Sequence, residues 1–354
     1  MRIIDRYLAG SVIRGTLLTL GALLPLLGVL LLADELDAIG RGDYGPAEAL
    51  LFMLLRLPRY LYQIFPISTL IGALLGLGAL ASRSELVALR AAGVSVGQLT
   101  GAALLGGLVL ALVVFALGEL IAPSAEQRGV ELKRQALSGE AAQLTPYGLW
   151  AIDKGAYVNI REIRSGTHLR DISIYRIDPV KGVLESTYAE GASYQNGRWV
   201  LEGIARSLVS AEGVRVEHLD RTEWESMIDP GLLRVIIADP QALPVWGLYA
   251  YIDFMKINKQ DARVYEVAFW NKVLHPLVSL SMILVAIPLL LGSARTVGLG
   301  RRMLVATLIG LIYYLISRTL AYASLLLGMS PALAALAPPV LLCTTALILL
   351  RRLG

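Results

Sequence analysis

Six stretches of this 354-residue chain are long and apolar, and they come in two groups of three. Each holds about 20 residues, enough for a helix to cross a hydrocarbon core of about 30 Å. They are about Val12–Ala33, Tyr60–Ala81 and Leu99–Ala122, then Val267–Leu291, Leu304–Leu327 and Ala332–Leu350. No other constraint in the sequence is as severe, because a backbone in lipid must satisfy its hydrogen bonds within each helix. Composition agrees: 17% of residues are charged, against about 25% in a soluble protein. Pro25 predicts a kink in the first span, and Pro66, Pro276 and Pro288 also stand inside spans. Gly72 and Gly76 form a small-xxx-small pair in the second. The shorter run Ala49–Leu57, closed by Arg56, Pro58 and Arg59, reads as a piece separate from the span that follows it.

From Ser124 to about Val264 no run is long enough to span. The segments Tyr157–Ile163, Asp171–Ile177, Ala192–Gln195, Arg198–Ile204 and Gly213–Leu219 have strand composition. Asn196-Gly197 marks a hairpin turn. The fold class is therefore an α-helical membrane protein of six transmembrane helices, with an all-β, jelly-roll-like domain between helices three and four. The expected divisions are 1–123, 124–264 and 265–354. A helical extension of the third span through about Ser138 precedes the strands.

Arginines orient the chain. Arg2, Arg6, Arg14, Arg83, Arg90, Arg295, Arg301, Arg302, Arg351 and Arg352 share one face, and Arg41, Arg56 and Arg59 lie at the other. The richer face is expected to be cytoplasmic, with both termini there and the β domain outside. No small-x-small cleavage site closes Leu17–Ala33, so it reads as a retained first span.

Between spans two and three lies an amphipathic island, Arg83–Ser95. Ser84 reads as its N-cap, Glu85 and Arg90 complement its dipole, and Gly93 suits its stop. Leu86, Leu89 and Arg90 share a face that Gly93 continues. Two readings stand: a plain connector on the membrane surface, or a coupling helix that docks into a soluble motor.

Several chemistries are excluded. There is no Gly-Lys-Ser/Thr phosphate loop and no His-Glu-x-x-His. Cys343 is the one cysteine, and His168, His218 and His275 are scattered, so no metal-site spacing exists. No catalytic residue, metal or cofactor is expected in this chain, and no nucleic-acid partner. Charges at membrane depth are more informative. Arg318 stands within the fifth span, where a guanidinium costs at least about 3 kcal/mol unless it finds a cavity or partner. Arg41, Arg56, Arg59 and Arg318 are candidates for an anionic, phosphate-bearing amphiphile. Snorkelling, or a salt bridge to Glu119 or Asp34, is the alternative.

Ile4-Asp5-Arg6-Tyr7-Leu8, the run Leu70–Leu86, Gly118–Pro123, Gly148-Leu149-Trp150 and Trp270–Pro276 resemble the LptF/LptG permeases of lipopolysaccharide export over essentially the whole chain. Leu74–Leu86 and Gly148–Trp150 are more similar to the LptG branch. The resemblance implies a transmembrane subunit, in the inner membrane of a Gram-negative bacterium, of an ATP-driven ABC transporter. That transporter extracts lipopolysaccharide from the outer leaflet. It implies an LptF-like six-helix partner, two copies of the LptB ATPase holding ATP and Mg2+, and a periplasmic bridge through LptC and LptA. The coupling role then falls on Arg83, Glu85, Leu86, Leu89, Arg90 and Gly93, and lipopolysaccharide on Arg59 at the cavity mouth. An inward Ile-rich groove with Ile160, Ile172 and Ile174 is expected to accept acyl chains. The chain departs from the family at Asp34-Glu35-Leu36-Asp37, where relatives carry lysines; Arg41 substitutes, or the carboxylates act through divalent cations. Two other readings are an FtsX/LolC/MacB-type permease and a membrane scaffold. Glu85–Gly93 fits the former, but its external domain follows the first of four spans, not the third of six.

Overall fold

The computed structural model describes residues 3–137, 149–165, 167–178, 182–210, 213–230, 233, 240–292 and 299–352; Arg2, Ser138, Gly148 and Arg295 lie outside them. In chain order the helices before the sheet are α1 (Ile3–Glu35), α2 (Pro46–Ser82), α3 (Glu85–Ala91), α4 (Val96–Ala116) and, after a π-turn at Leu117–Ile121, α5 (Ala122–Leu137). The strands are β1 (Leu149–Asp153), β2 (Ala156–Ser165), β3 (His168–Asp178), β4 (Gly182–Gln195), β5 (Arg198–Ser210) and β6 (Gly213–Trp224). Then come α6 (Val245–Ile257), α7 (Arg263–Val273), α8 (His275–Leu291), α9 (Leu299–Leu327) and α10 (Pro331–Arg351). The chain divides into two compact units. One comprises Met1–Gly40, Tyr44–Lys133 and Glu266–Gly354, the other Arg41–Asp43 and Arg134–Tyr265.

In the helical unit, five helices among the described residues are long and apolar enough to span, or six when α7 and α8, bent by 51°, count as one. Ala49–Leu57 is not a separate piece: α2 is one helix of 37 residues with Pro58 and Pro66 inside it. Proline ends most helices in water. In a membrane helix the freed carbonyl is satisfied by neighbouring groups, and the helix continues. Pro25 likewise stands within an uninterrupted α1. The expected extension of the third span is α5, which runs to Leu137.

Lipid tails are as apolar as leucine, so close backbone approach must hold these helices together. Glycine provides it. A Cβ on Gly15 would lie 2.1 Å from Gly72 O, and one on Gly76 would lie 2.2 Å from Ser11 O. Ser11 Oγ donates to Gly76 O at 2.8 Å across the same α1–α2 seam. A Cβ on Gly106 would meet Ala9 O at 2.6 Å, so α4 closes on the opposite flank of α1. Leu8, Val12, Leu70, Leu74, Met282 and Ile283 fill the core beside these seams.

The other unit is a six-stranded antiparallel sheet in which each strand pairs with its neighbours in the chain. The inserted β domain is present; the described strands are ordered as a meander, without a Greek-key crossover. Asn196-Gly197 makes the β4–β5 hairpin, and both residues have positive φ. Trp199 is buried, and its indole N–H donates to Ile228 O at 2.6 Å. Tyr251 and Phe254 of α6 cover the same inner face.

The sheet is creased. Its inward residues are three apart, not two, at the same level of four strands: Ile160 and Ile163, Leu169 and Ile172, Ala189 and Ala192, Leu201 and Ile204. Registers align them into two rows, Ile160–Ile172–Ala189–Ile204 and Ile163–Leu169–Ala192–Leu201. Between the rows the ladder skips Arg161, Asp171, Glu190, Gly203 and Asp220. Asp171 and Gly203 have φ of 50° and 62° there. One additional residue per strand bends a sheet and sharpens its twist.

Candidate functional site

The island between α2 and α4 folds as a single short helix seated on the membrane unit. Leu86 is buried, and Leu89 packs half-buried against the same core as Leu74 and Leu99. They anchor α3. Its outer surface is carried by Val87, Ala88, Arg90 and Ala91, with Arg83 exposed just before it. Glu85 Oε2 accepts a 2.6 Å hydrogen bond from the Tyr7 hydroxyl, which ties the start of α3 to α1. Ser84 occupies the N-cap position, yet its φ is 61° and its side chain caps nothing. The chain turns so sharply out of α2 that the residue takes left-handed backbone geometry. Gly93, at φ 89°, ends the helix as the sequence predicted.

A polar knot lies within the membrane unit. Lys272 Nζ, 3.0 Å from Glu119 Oε1, forms a buried ion pair between α7 and the π-turn. The π-turn brings Glu119 inward and places Gly118 under the Tyr62 ring, where a Cβ would come within 2.2 Å. Tyr62 grips both sides of the α7–α8 bend. Its hydroxyl donates to Lys272 O at 3.3 Å, and its own carbonyl accepts from His275 Nε2 at 2.8 Å. The Tyr62 and His275 rings stack 3.7 Å apart. Gly118–Pro123 and Trp270–Pro276, two of the motifs that carried the resemblance, thus meet in space. Sequence reading did not pair them, because the partners are 153 residues apart. The motifs themselves, and Glu119 as a possible salt-bridge partner, were the available signal.

Arg56 and Arg59 both reach a carboxylate of this chain. Arg59 makes a short ion pair with Glu126, and Arg56 Nε lies 3.9 Å from the same carboxylate. The carboxylate is on α5, in the stretch that composition reads as soluble, and is neither Glu119 nor Asp34. Arg41 is exposed on the turn after α1, between Gly40 and Gly42 of positive φ. In the nearby acidic stretch Glu35 turns inward, bonded to Lys133 Nζ at 2.6 Å and the Tyr44 hydroxyl at 3.1 Å. Burial and that bond to Glu35 push the Tyr44 phenol up to about 12.

Arg318 is exposed on α9. Its Nε donates to the Tyr314 hydroxyl at 3.2 Å, and its guanidinium lies 5.6 Å from the Tyr314 ring centre. Tyr314, Arg318 and Tyr322 form an outward stripe one helical turn apart. In the sheet, Ile160 and Ile172 are fully buried in the packed face, and Ile174 is half-buried at its margin.

The profile of the lipopolysaccharide export system permease LptF/LptG family matches residues 6–352. The chain belongs to that family. It is 31% identical to the lipopolysaccharide export system permease protein LptG of Escherichia coli (strain K12), over 95% of this chain and 94% of that protein. It is also 31% identical to LptG of Haemophilus influenzae, over 96% and 95%. The LptF/LptG membership extends through every element described above, the β unit included.

Proposed function

We propose that this chain is the LptG-type membrane subunit of an ATP-driven lipopolysaccharide exporter. The observation that carries the reading is the family match, unbroken from residue 6 to residue 352. The chain supplies no nucleotide site; a partner ATPase of the LptB type hydrolyses ATP and pushes on α3, whose outer surface stands free of the core that Leu86 and Leu89 hold. Arg83, Glu85 and Arg90 are the polar contacts, and Gly93 sets the elbow. A paralogous LptF-like permease completes the membrane part, and the β unit hands lipid to LptC and LptA in the periplasm. Both termini are cytoplasmic, in the inner membrane. Arg318 and Arg41 are headgroup contacts, whereas Arg56 and Arg59 position Glu126. Ile174, at the margin of the inner face, is the first of the three isoleucines an acyl chain reaches.

The test is mass spectrometry of what co-purifies with the tagged full chain from its own host. A small ATPase, a second six-span protein and bound lipopolysaccharide are expected; the chain alone would overturn the reading. Glu85→Arg is expected to lose the ATPase while the chain stays inserted. Normal ATPase recovery with that variant would remove Glu85 from the interface.

A further inference from the structure

An apolar groove of about 220 Å³ opens between α8, α9 and α10. Leu289, Ile309, Ile312, Pro338, Leu342 and Leu349 are among the residues that line it. Thr345 also lines it, but its hydroxyl is spent on Leu341 O at 2.8 Å. Along α10 the lining extends from Pro338 to Leu349, about 16 Å at the helical rise and about half the hydrocarbon core. The groove therefore has the depth of one leaflet, and apart from Thr345 and Tyr313 its lining side chains are apolar.

One end of the groove is cationic. Leu349 is two residues before Arg351 and three before Arg352, both exposed. The α9 wall begins at Ile309, just over two turns after Arg301, which is also exposed, and Arg302. No aspartate or glutamate occurs in residues 267–354. A hydrocarbon slot one leaflet deep, with arginines at the membrane face where it ends, matches a lipid with an anionic headgroup. We infer that this groove is a binding site for an anionic glycerophospholipid of that leaflet, its acyl chain along Pro338–Leu349 and its phosphate at Arg301, Arg351 and Arg352. The site is separate from the polar knot and from the Tyr314–Arg318–Tyr322 stripe.

The full chain in nanodiscs is titrated with phosphatidylglycerol and with phosphatidylcholine, and bound lipid is counted by native mass spectrometry. Wild type is expected to prefer phosphatidylglycerol by at least about tenfold. Arg351→Gln with Arg352→Gln is expected to abolish that preference, and Thr345→Trp, which fills the slot from an exposed position, to weaken both lipids. Equal binding of the two lipids by wild type overturns the proposal, as does a preference that survives the arginine changes. Undiminished binding by Thr345→Trp overturns the acyl slot. A photo-crosslinker at position 345 is expected to capture phospholipid; capture of a protein helix instead assigns the groove to a partner chain and refutes the lipid site.

Discussion

Lys272 and Glu119 show what a buried charge needs in this chain. Removing one partner strands the other in a low-dielectric interior, so Lys272→Met is expected to cost about 3–5 kcal/mol. Adding Glu119→Gln is expected to restore much of it. Thermal unfolding of the purified full chain in detergent checks both, and a single variant that melts like wild type contradicts the pairing. The sequence announced these charges but not their partners. The pairing of Arg59 was not legible because Glu126 stands in a polar stretch that reads as soluble. Only α5, continuing α4 past Pro123, brings that carboxylate back to α2. Leu86 and Leu89 were legible as one face; that the face turns inward follows from the core waiting there.

At the scale of elements, spans were easy to read and their ends were not. Apolar length is a direct signal, whereas Pro58 carries a meaning that depends on the solvent around the helix. The α1–α2 seam gives a sharp test. Gly76→Ala places a methyl against Ser11 O and is expected to cost about 1–3 kcal/mol. Gly101→Ala, with open space around its Cβ, is the control and is expected to be neutral. Equal melting of the two variants would show that the seam is loose. In the sheet, Gly203→Ala meets both φ of 62° and the Glu190 side chain within 3.0 Å. It is expected to lower β-unit stability by about 1–3 kcal/mol, read as faster proteolysis of that unit.

For the whole molecule, the order of three spans, β domain and three spans was legible because lipid and water impose opposite compositions. The connection order within the sheet was not, since alternation locates strands without saying which neighbours pair. The proposed orientation is testable in intact cells. With Cys343→Ala as background, Val214→Cys on exposed β6 is expected to react with a membrane-impermeant maleimide once the outer membrane is permeabilised. Arg352→Cys is expected to react only after lysis. The reverse pattern would invert the topology.

The crease ties the strands of the β unit together in a way that single positions do not reveal. In a regular strand one residue separates two neighbours on the same face. Here β2, β3, β4 and β5 all have two between their core rows, and the crease takes up the additional one. Deleting one residue at the crease from one strand would return that strand to plain alternation, with both rows still inward, so that it would run straight through the level at which its neighbours bend. Strand length at the crease is thus a shared property of the four strands. Point substitutions can accumulate one at a time, but a change in length at this level has to be matched across the sheet or absorbed in the hairpins.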